Sequence, residues 1–189
     1  MNRLRGAYCY LSGAIDCASD LGVGWREEFI EKAEQAQLGL RVMNPCAKPA
    51  SCTQEIEDDI RVVEKFRENG DWEEMRQFVK GFRREDLRFT DLADFLVIKV
   101  DRETHMCGSY DELFVAERQS KPLFCIVEGG IEKLPTWLFG VFRLENIFST
   151  VDECLNRLIE LNSQEEELGK RWVLIRQFLE NDECRDAIK

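Results

Sequence analysis

The chain has 189 residues, 44% hydrophobic and 33% charged, and its 26 basic and 37 acidic side chains give a net charge of −11. This length fits one domain with a sizeable core, and the low counts of proline (4) and glycine (12) exclude a disordered or fibrous chain. The negative charge argues against a nucleic-acid polymer as partner. No apolar run approaches the roughly 20 residues that span a bilayer, so we expect no membrane partner.

Eight cysteines and one histidine, His105, limit the chemistry of the chain. No two cysteines form a CxxC pair, so the spacing typical of zinc sites is absent and we expect no metal. The thiols fit a reduced, cytoplasmic setting, with a disulfide framework as the minor alternative, and Cys9 and Cys125 fit core positions in strands. Because His105 lies in a polar loop, acid–base chemistry falls to carboxylates and tyrosine.

Short apolar runs alternate with helix-like segments along the chain. Strands are predicted at 7–15, 40–45, 94–100, 122–128 and 146–148, and helices at 25–35, 54–68, 71–93, 109–119, 150–161 and 164–180. Strands 94–100 and 122–128 are apolar on both faces, which predicts a parallel sheet covered on both sides, a doubly wound α/β fold. We predict an α/β domain at 1–149 and a C-terminal helical extension at 150–189, opened by a Thr150–Glu153 capping box.

Ligands of doubly wound sheets bind beyond the carboxyl ends of the strands, so the residues that follow each strand are the candidates for a site. Ser12 and Gly13 follow the first strand, and Asp16 and a glycine-rich turn lead to the helix at 25–35. Glycine lets backbone N–H groups approach a ligand at a helix N-terminus, although any strand-to-helix turn favours glycine.

Glu112 follows the most hydrophobic strand and has two interpretations. Ser109 and Glu112 match a capping box, in which Glu112 merely caps its own helix. The alternative is a catalytic carboxylate, because Glu112 lies off the apolar stripe of Tyr110 and Leu113, in the first turn, where it points towards the crevice.

Asp86 interrupts the apolar stripe of the helix at 71–93, in a slot where the period requires a hydrophobic residue. A buried charge must be partnered, protonated or functional. The lengths of this helix and the following strand place Asp86 on the ligand side. Alternatively, the helix breaks near 84–85 and Asp86 is an N-cap. Asp94, at the opposite end of its strand, is expected to be structural.

At these residues the chain resembles the nucleoside 2-deoxyribosyltransferase family, especially its phage-type and bacterial members. The resemblance covers residues 7 to about 128 and consists of YLSGAI at 10–15, DLGVGWR at 20–26, VMNP at 42–45, Asp86-Leu87, Asp94, GSYDEL at 108–113 and KP at 121–122. The order of these pieces carries it, with 8 residues from Asp86 to Asp94 and 18 from Asp94 to Glu112.

The resemblance implies a flavodoxin-like fold and cleavage of an N-glycosidic bond with retention, without a cofactor. Glu112 is then the nucleophile, Asp86 the carboxyl group that handles the base, and Tyr10 the phenol that positions the nucleophile. The substrate-binding positions are Ser12, Gly13, Asp16, Trp25, Asn44, Met106, Gly108 and Ser109. The implied partners are a nucleoside or nucleotide and a free nucleobase, in nucleotide salvage in the cytoplasm of a bacterial cell or a phage-infected host.

One position departs from the family, and it leaves the reaction open. Six residues before the glutamate much of the family has an acidic residue, and monophosphate-selective relatives carry serine, whereas this chain has Met106. Transfer of the sugar to another base, hydrolysis of a nucleoside or nucleoside monophosphate, and catalytically silent nucleotide binding are therefore all compatible with the sequence. For a phosphate group the candidates are Ser12, Ser109 and Arg26, near helix N-termini.

The chemistry requires Glu112 to be ionised, which the positive end of its helix favours, and Asp86 to hold a proton, which apolar surroundings favour. Family members also form homo-oligomers. The last helix presents an apolar face that a partner subunit could cover, with packing on its own domain as the alternative; its members are Trp172, Leu174, Ile175, Phe178 and Leu179.

Overall fold

A computed structural model describes residues 2–47, 56–163 and 171–172. The described strands are β1 Tyr8–Gly13, β2 Arg41–Met43, β3 Phe95–Val100, β4 Leu123–Val127 and β5 Ile147–Phe148. The described α-helices are α1 Val23–Gln35, α2 Ile56–Asn69, α3 Trp72–Leu92, α4 Cys107–Arg118 and α5 Val151–Asn162. Three short 3-10 helices, at Ile131–Lys133, Thr136–Gly140 and Leu144–Asn146, connect β4 to β5.

All five strands pair in parallel in one sheet with the order β2-β1-β3-β4-β5. This is the strand order of flavodoxin-like folds, in which the winding reverses between the first and third strands. The doubly wound α/β fold predicted from the sequence is confirmed. Ser12 pairs with Ile98 and Gly13 with Lys99, so the end of β1 lies beside the carboxyl end of β3.

The alternation of side chains along β1 divides the core into two layers. Cys9 and Leu11 point to one face, where α1 and α5 cover the sheet. Tyr10 points to the other face, which α3 and α4 cover. Full burial of side chains of this size stabilises the fold by roughly 1.5–3 kcal/mol each. Residues 10 and 12 of β1 therefore face the same helices, α3 and α4.

Two helix boundaries differ from alternatives that the sequence left open. Helix α4 begins at Cys107 with Met106 as its N-cap, and the Tyr110 N–H donates to the Met106 carbonyl at 2.9 Å to close the first turn. Ser109 therefore lies inside the helix, and the capping-box interpretation of Ser109 and Glu112 is wrong. Helix α3 is continuous from residue 72 to 92, so the interpretation of Asp86 as an N-cap is also wrong.

Helix α5 begins at the predicted cap, because Thr150 Oγ1 accepts a hydrogen bond from the Glu153 N–H at 3.2 Å. The Glu153 carboxylate in turn accepts from the Ser149 N–H at 2.7 Å. Leu155 and Leu158 of α5 are buried in the same core cluster as α1, so this part of the predicted extension shares the core of the α/β domain.

Trp172 also packs on the sheet, with its ring centroid 5.3 Å from that of Phe95 and 6.1 Å from that of Phe124. The other members of the predicted apolar face, Leu174, Ile175, Phe178 and Leu179, lie outside the described residues, and the oligomer contact stays a prediction. Among the described segments, no helix combines the length and the apolar character needed to cross a membrane.

Candidate active site

The candidate site lies where β1 and β3 end and α4 begins, at the point where the winding of the sheet reverses. Helix α4 turns a buried face towards the sheet, formed by Ser109, Glu112, Leu113 and Ala116. Glu112 is thus in the second turn and on the buried stripe, whereas the sequence placed it in the first turn and off the stripe. The turn differs because the helix starts two residues earlier than predicted, and the stripe differs because the face that packs on the sheet includes Glu112 beside Leu113.

Two hydroxyl groups of β1 hold the Glu112 carboxylate. The Tyr10 hydroxyl donates a hydrogen bond to Oε1 at 3.0 Å, and the Ser12 hydroxyl donates to Oε2. Both donors are 0% exposed and Glu112 is 8% exposed, so the whole arrangement is shielded from water. Side chains alternate along a strand, so Tyr10 and Ser12, two residues apart on β1, present both hydroxyls on one face of the sheet.

Burial raises the pKa of Glu112 to about 7, and the negative charge of Asp86 adds to the rise. The hydrogen bonds from Ser12 and Tyr10 and the positive charge of Arg26 oppose it. We expected the helix N-terminus to favour the ionised form, but the loss of hydration is the larger effect. Glu112 is therefore a carboxyl group that changes its charge near neutral pH.

Asp86 belongs to the same cluster. Burial is the first cause of the raised pKa of Glu112 and of Tyr10, and the negative charge of Asp86 raises both further. The Oδ1 atom of Asp86 is shielded from solvent. One turn further along α3, the Phe89 ring centroid lies 5.9 Å from that of Tyr10, so this face of α3 packs towards β1. The structure thus brings the three predicted catalytic residues together.

Arg26 is part of the architecture of the loop that follows β1. Its Nε, Nη1 and Nη2 atoms donate to the carbonyl oxygens of Leu11, Gly22 and Gly13 at 3.2, 2.6 and 2.9 Å. The side chain is 0% exposed, and its guanidinium lies 4.8 Å from the Trp25 ring centroid. The predicted role of Arg26 in holding a phosphate is therefore corrected, because the side chain is fully buried and each of its three nitrogen atoms donates to a backbone carbonyl.

Replacement of Arg26 with leucine is expected to lower the free energy of unfolding by about 3 kcal/mol, because three carbonyl groups lose their buried donor. Urea denaturation measures this change. The matched control is Arg88→Leu, an exposed arginine of α3, with an expected change below about 0.5 kcal/mol. Equal stability of Arg26→Leu and the unmodified protein would contradict the structural role.

Gly13 and Trp25, two predicted substrate-binding residues, pack against each other. A Cβ atom on Gly13 would lie 3.2 Å from Trp25 Cζ2 and 3.3 Å from the Lys99 carbonyl oxygen, which accounts for glycine at this position. Trp25 is 7% exposed in the core layer of α1 and α5, on the opposite face of the sheet from Glu112. The structure does not bring Trp25 to Glu112.

Met106, Gly108 and Ser109 lie at the start of α4, close to Glu112 in sequence and on the same helix end. Met106 is 4% exposed, and its sulfur accepts a hydrogen bond from the Asp101 N–H at 3.3 Å. Ser109 is buried one turn before Glu112, whereas Gly108 is exposed. Their contact with a substrate stays a prediction.

Asp16 and Asn44 lie in the loops that follow β1 and β2. Asp16 is exposed, and the Asn44 side-chain oxygen accepts from the Cys46 N–H at 2.9 Å in a local turn. Residues 48–55, which follow Asn44 in the second loop, lie outside the described residues. Binding of substrate by Asp16 and Asn44 also stays a prediction.

Three other expectations are tested by the structure. Cys9 and Cys125 are buried core residues, as predicted, and His105 is exposed. Asp94 is structural, because its carboxylate accepts from the Tyr8 N–H at 2.8 Å at the amino end of the strands. One contact had no signal in the sequence: Arg83 of α3 and Asp111 of α4 form an ion pair at 2.8 Å between the two helices that carry Asp86 and Glu112.

Comparison of the chain with protein-family models and with curated proteins gave no match. The resemblance to nucleoside 2-deoxyribosyltransferases therefore depends on the motifs themselves. The geometry of the site is independent of it, because the hydrogen bonds and the burial of Glu112 belong to this chain.

Proposed function

We propose that this protein cleaves the N-glycosidic bond of a deoxynucleoside or its monophosphate and transfers the sugar to another nucleobase. The nucleophile is Glu112, which forms a covalent ester with the sugar. The observation that supports this proposal is a buried carboxylate with one hydroxyl donor on each oxygen, beside a second carboxyl group, at the ligand-binding end of the sheet.

The two carboxyl groups divide the reaction between them. As the base leaves, positive charge develops on the anomeric carbon and the ring oxygen, and Glu112 attacks C1′ from the opposite face of the sugar. The electrons of the C1′–N bond pass to the base, and Asp86 supplies a proton to it. A second base then attacks C1′ and gives its N–H proton to Asp86, and the C1′–O bond to Glu112 breaks, which restores the carboxylate and the original configuration of the sugar.

The pKa of Glu112, raised to about 7 by burial and by the negative charge of Asp86, places the proton of the pair on Glu112 in the free protein. Two carboxylates close together disfavour the doubly ionised state, and the proposed reaction uses the state in which this proton lies on Asp86. Tyr10 donates to Glu112 and thereby orients it, and its own pKa is raised by burial and by both carboxylates, so it remains a hydroxyl donor. In these water-poor surroundings an ionised Glu112 stabilises a cationic sugar more strongly than it would in water.

Trapping of the covalent intermediate tests the proposal. The protein is incubated with 2′-fluoro-substituted deoxynucleosides and their monophosphates, which form the ester but release it slowly, and its intact mass is measured. We expect a mass increase equal to the fluorinated sugar, mapped by peptide sequencing to Glu112. The proposal fails if no adduct forms while the same compounds lose their base.

A panel of deoxynucleosides and monophosphates, each with and without a free acceptor base, then identifies the fate of the ester. Exchange of the base only when the acceptor is present supports the transferase. Release of free base without an acceptor identifies a hydrolase, and tight binding without any product identifies a silent nucleotide-binding module. Either of these outcomes would replace the proposed transfer reaction.

A further inference from the structure

We propose that Ser12 is a positioning residue of the reaction: its buried hydroxyl holds Oε2 of Glu112, so that the carboxylate meets the sugar in one orientation and as the anion. This inference rests on the proposed function, in which Glu112 is the nucleophile. It assigns Ser12 a role different from contact with the substrate.

The position of Ser12 makes its hydroxyl a rigid donor. β1 pairs with β2 at residues 8–10 and with β3 at residues 9–13, where Ser12 is in register with Ile98. The backbone at residue 12 is therefore fixed by the sheet, and serine adds a single side-chain rotation before the hydroxyl. A donor of this kind loses little conformational freedom when it binds the carboxylate.

Ser12 and Tyr10 together restrain both oxygens of Glu112. Tyr10 binds Oε1 and Ser12 binds Oε2, so rotation of the carboxylate about its last bond would break both hydrogen bonds. A hydrogen bond to one oxygen alone would restrain the rotation of the carboxylate group less. The pair therefore fixes the plane of the carboxylate, which determines the direction of attack on C1′.

The hydroxyl of Ser12 has one proton, and that proton is engaged with Glu112. Ser12 is also 0% exposed. While this bond is present, Ser12 has no proton to donate to a phosphate or to a sugar hydroxyl. Its contribution to the reaction therefore passes through Glu112.

The electrostatics of Glu112 agree with this geometry. Burial raises the pKa of Glu112, and the Ser12 hydrogen bond is the largest effect that lowers it. The other groups acting on Glu112 are Asp86 from α3, Tyr10 from β1 and Arg26 from α1. Because these three groups remain in a Ser12 variant, loss of the hydroxyl raises the pKa of Glu112 above its value of about 7.

The test is Ser12→Ala in the full chain, with two readouts. The first is the titration of Glu112 by carbon NMR on protein labelled at the glutamate carboxyl carbons, with its signal assigned from Glu112→Gln. We expect the midpoint to rise by about one pH unit. The second is kcat/KM against pH for release of base: its acid limb moves by the same amount, so activity falls about tenfold below the midpoint and recovers at higher pH.

Two further variants separate positioning from a general effect on the fold. Ser12→Thr keeps the hydroxyl and is expected to keep the midpoint of Glu112. Cys9→Ala removes one buried atom from the same strand on the opposite face of the sheet, and it is expected to leave both readouts unchanged.

The two readouts distinguish failure of this inference from failure of the proposed function. An active Ser12→Ala protein with an unmoved midpoint and an unmoved acid limb overturns the role of Ser12. If the titration midpoint of Glu112 rises in Ser12→Ala but the unmodified protein cleaves no N-glycosidic bond, the hydrogen bond from Ser12 to Glu112 is supported and the proposed function is overturned.

Discussion

Replacement of Glu112 with glutamine is expected to lower the rate of N-glycosidic bond cleavage by about 10⁴-fold, the effect typical of removing a covalent nucleophile. The amide has nearly the shape of the carboxylate and still reaches the hydroxyls of Tyr10 and Ser12, but it carries no charge and does not form the ester. Chromatography of the released base in a single turnover, with enzyme in excess, measures the loss.

Glu117→Gln is the matched control, because Glu117 lies on the same helix, five residues further from its N-terminus, and outside the hydrogen-bonded cluster of Glu112. Its rate is expected to remain within about twofold of that of the unmodified protein. A Glu112→Gln protein that retains normal turnover would contradict the covalent mechanism, since no other side chain of the proposal attacks C1′.

The fold could be predicted from the sequence because its strongest signals are local. The residues of β3 and β4 are apolar on both faces, which in a chain of alternating strands and helices requires a sheet covered on both sides. The carboxyl end as the place of the site then follows from the general rule for such sheets, whereas the flavodoxin-like form of the fold is implied by the family resemblance. Each of these steps depends on the pattern of neighbouring residues.

The surroundings of Glu112 depend on contacts that are distant in sequence. The position after β3 identified Glu112 as a candidate, but α4 begins two residues earlier than predicted and the face that it packs on the sheet includes Glu112. Its partners Tyr10 and Ser12 lie about 100 residues away, and their spacing on β1 is informative only once α4 is known to cover that face. Boundary errors of this size are usual for a helix end without a strong cap.

Arg26 illustrates the other limit of sequence reasoning. A charged side chain after a glycine-rich turn suggests a ligand, because burial of a guanidinium is costly. Here three carbonyl groups of β1 and the following turn compensate for that cost. A compensation of this kind depends on the path of the backbone, which the order of residues in the turn does not reveal.

Glu112→Gln is also expected to make the protein more stable at alkaline pH. This is the pH range in which Glu112 of the unmodified protein is ionised and in which the loss of activity is therefore largest. Burial raises the pKa of Glu112 from its usual value of 4.5 to about 7, so the folded protein holds this proton more tightly than the unfolded chain. The free energy of unfolding contributed by Glu112 is therefore fully present below pH 4.5 and is lost as the pH rises through 7.

Glutamine has no titratable group. The difference in free energy of unfolding between Glu112→Gln and the unmodified protein therefore grows as the pH rises through this range. The difference in pKa, about 2.5 units, corresponds to about 3 kcal/mol at pH 8 and to less than about 1 kcal/mol at pH 5. Urea denaturation of both proteins at the two pH values measures it, and Glu117→Gln supplies a control in which the difference stays constant with pH. Equal stability of Glu112→Gln and the unmodified protein at both pH values would contradict the raised pKa.

This stability gain would separate Glu112 from a carboxylate that is held in an ion pair. The pKa of an ion-paired carboxylate is lowered, as at Glu73 beside Arg76, and its replacement with an amide does not stabilise the fold above neutral pH. A group that costs the fold stability in its ionised form is instead typical of a site arranged for a substrate, because a cationic sugar would offset the cost on binding. A nucleoside that forms the ester should therefore stabilise the unmodified protein more at pH 8 than at pH 5.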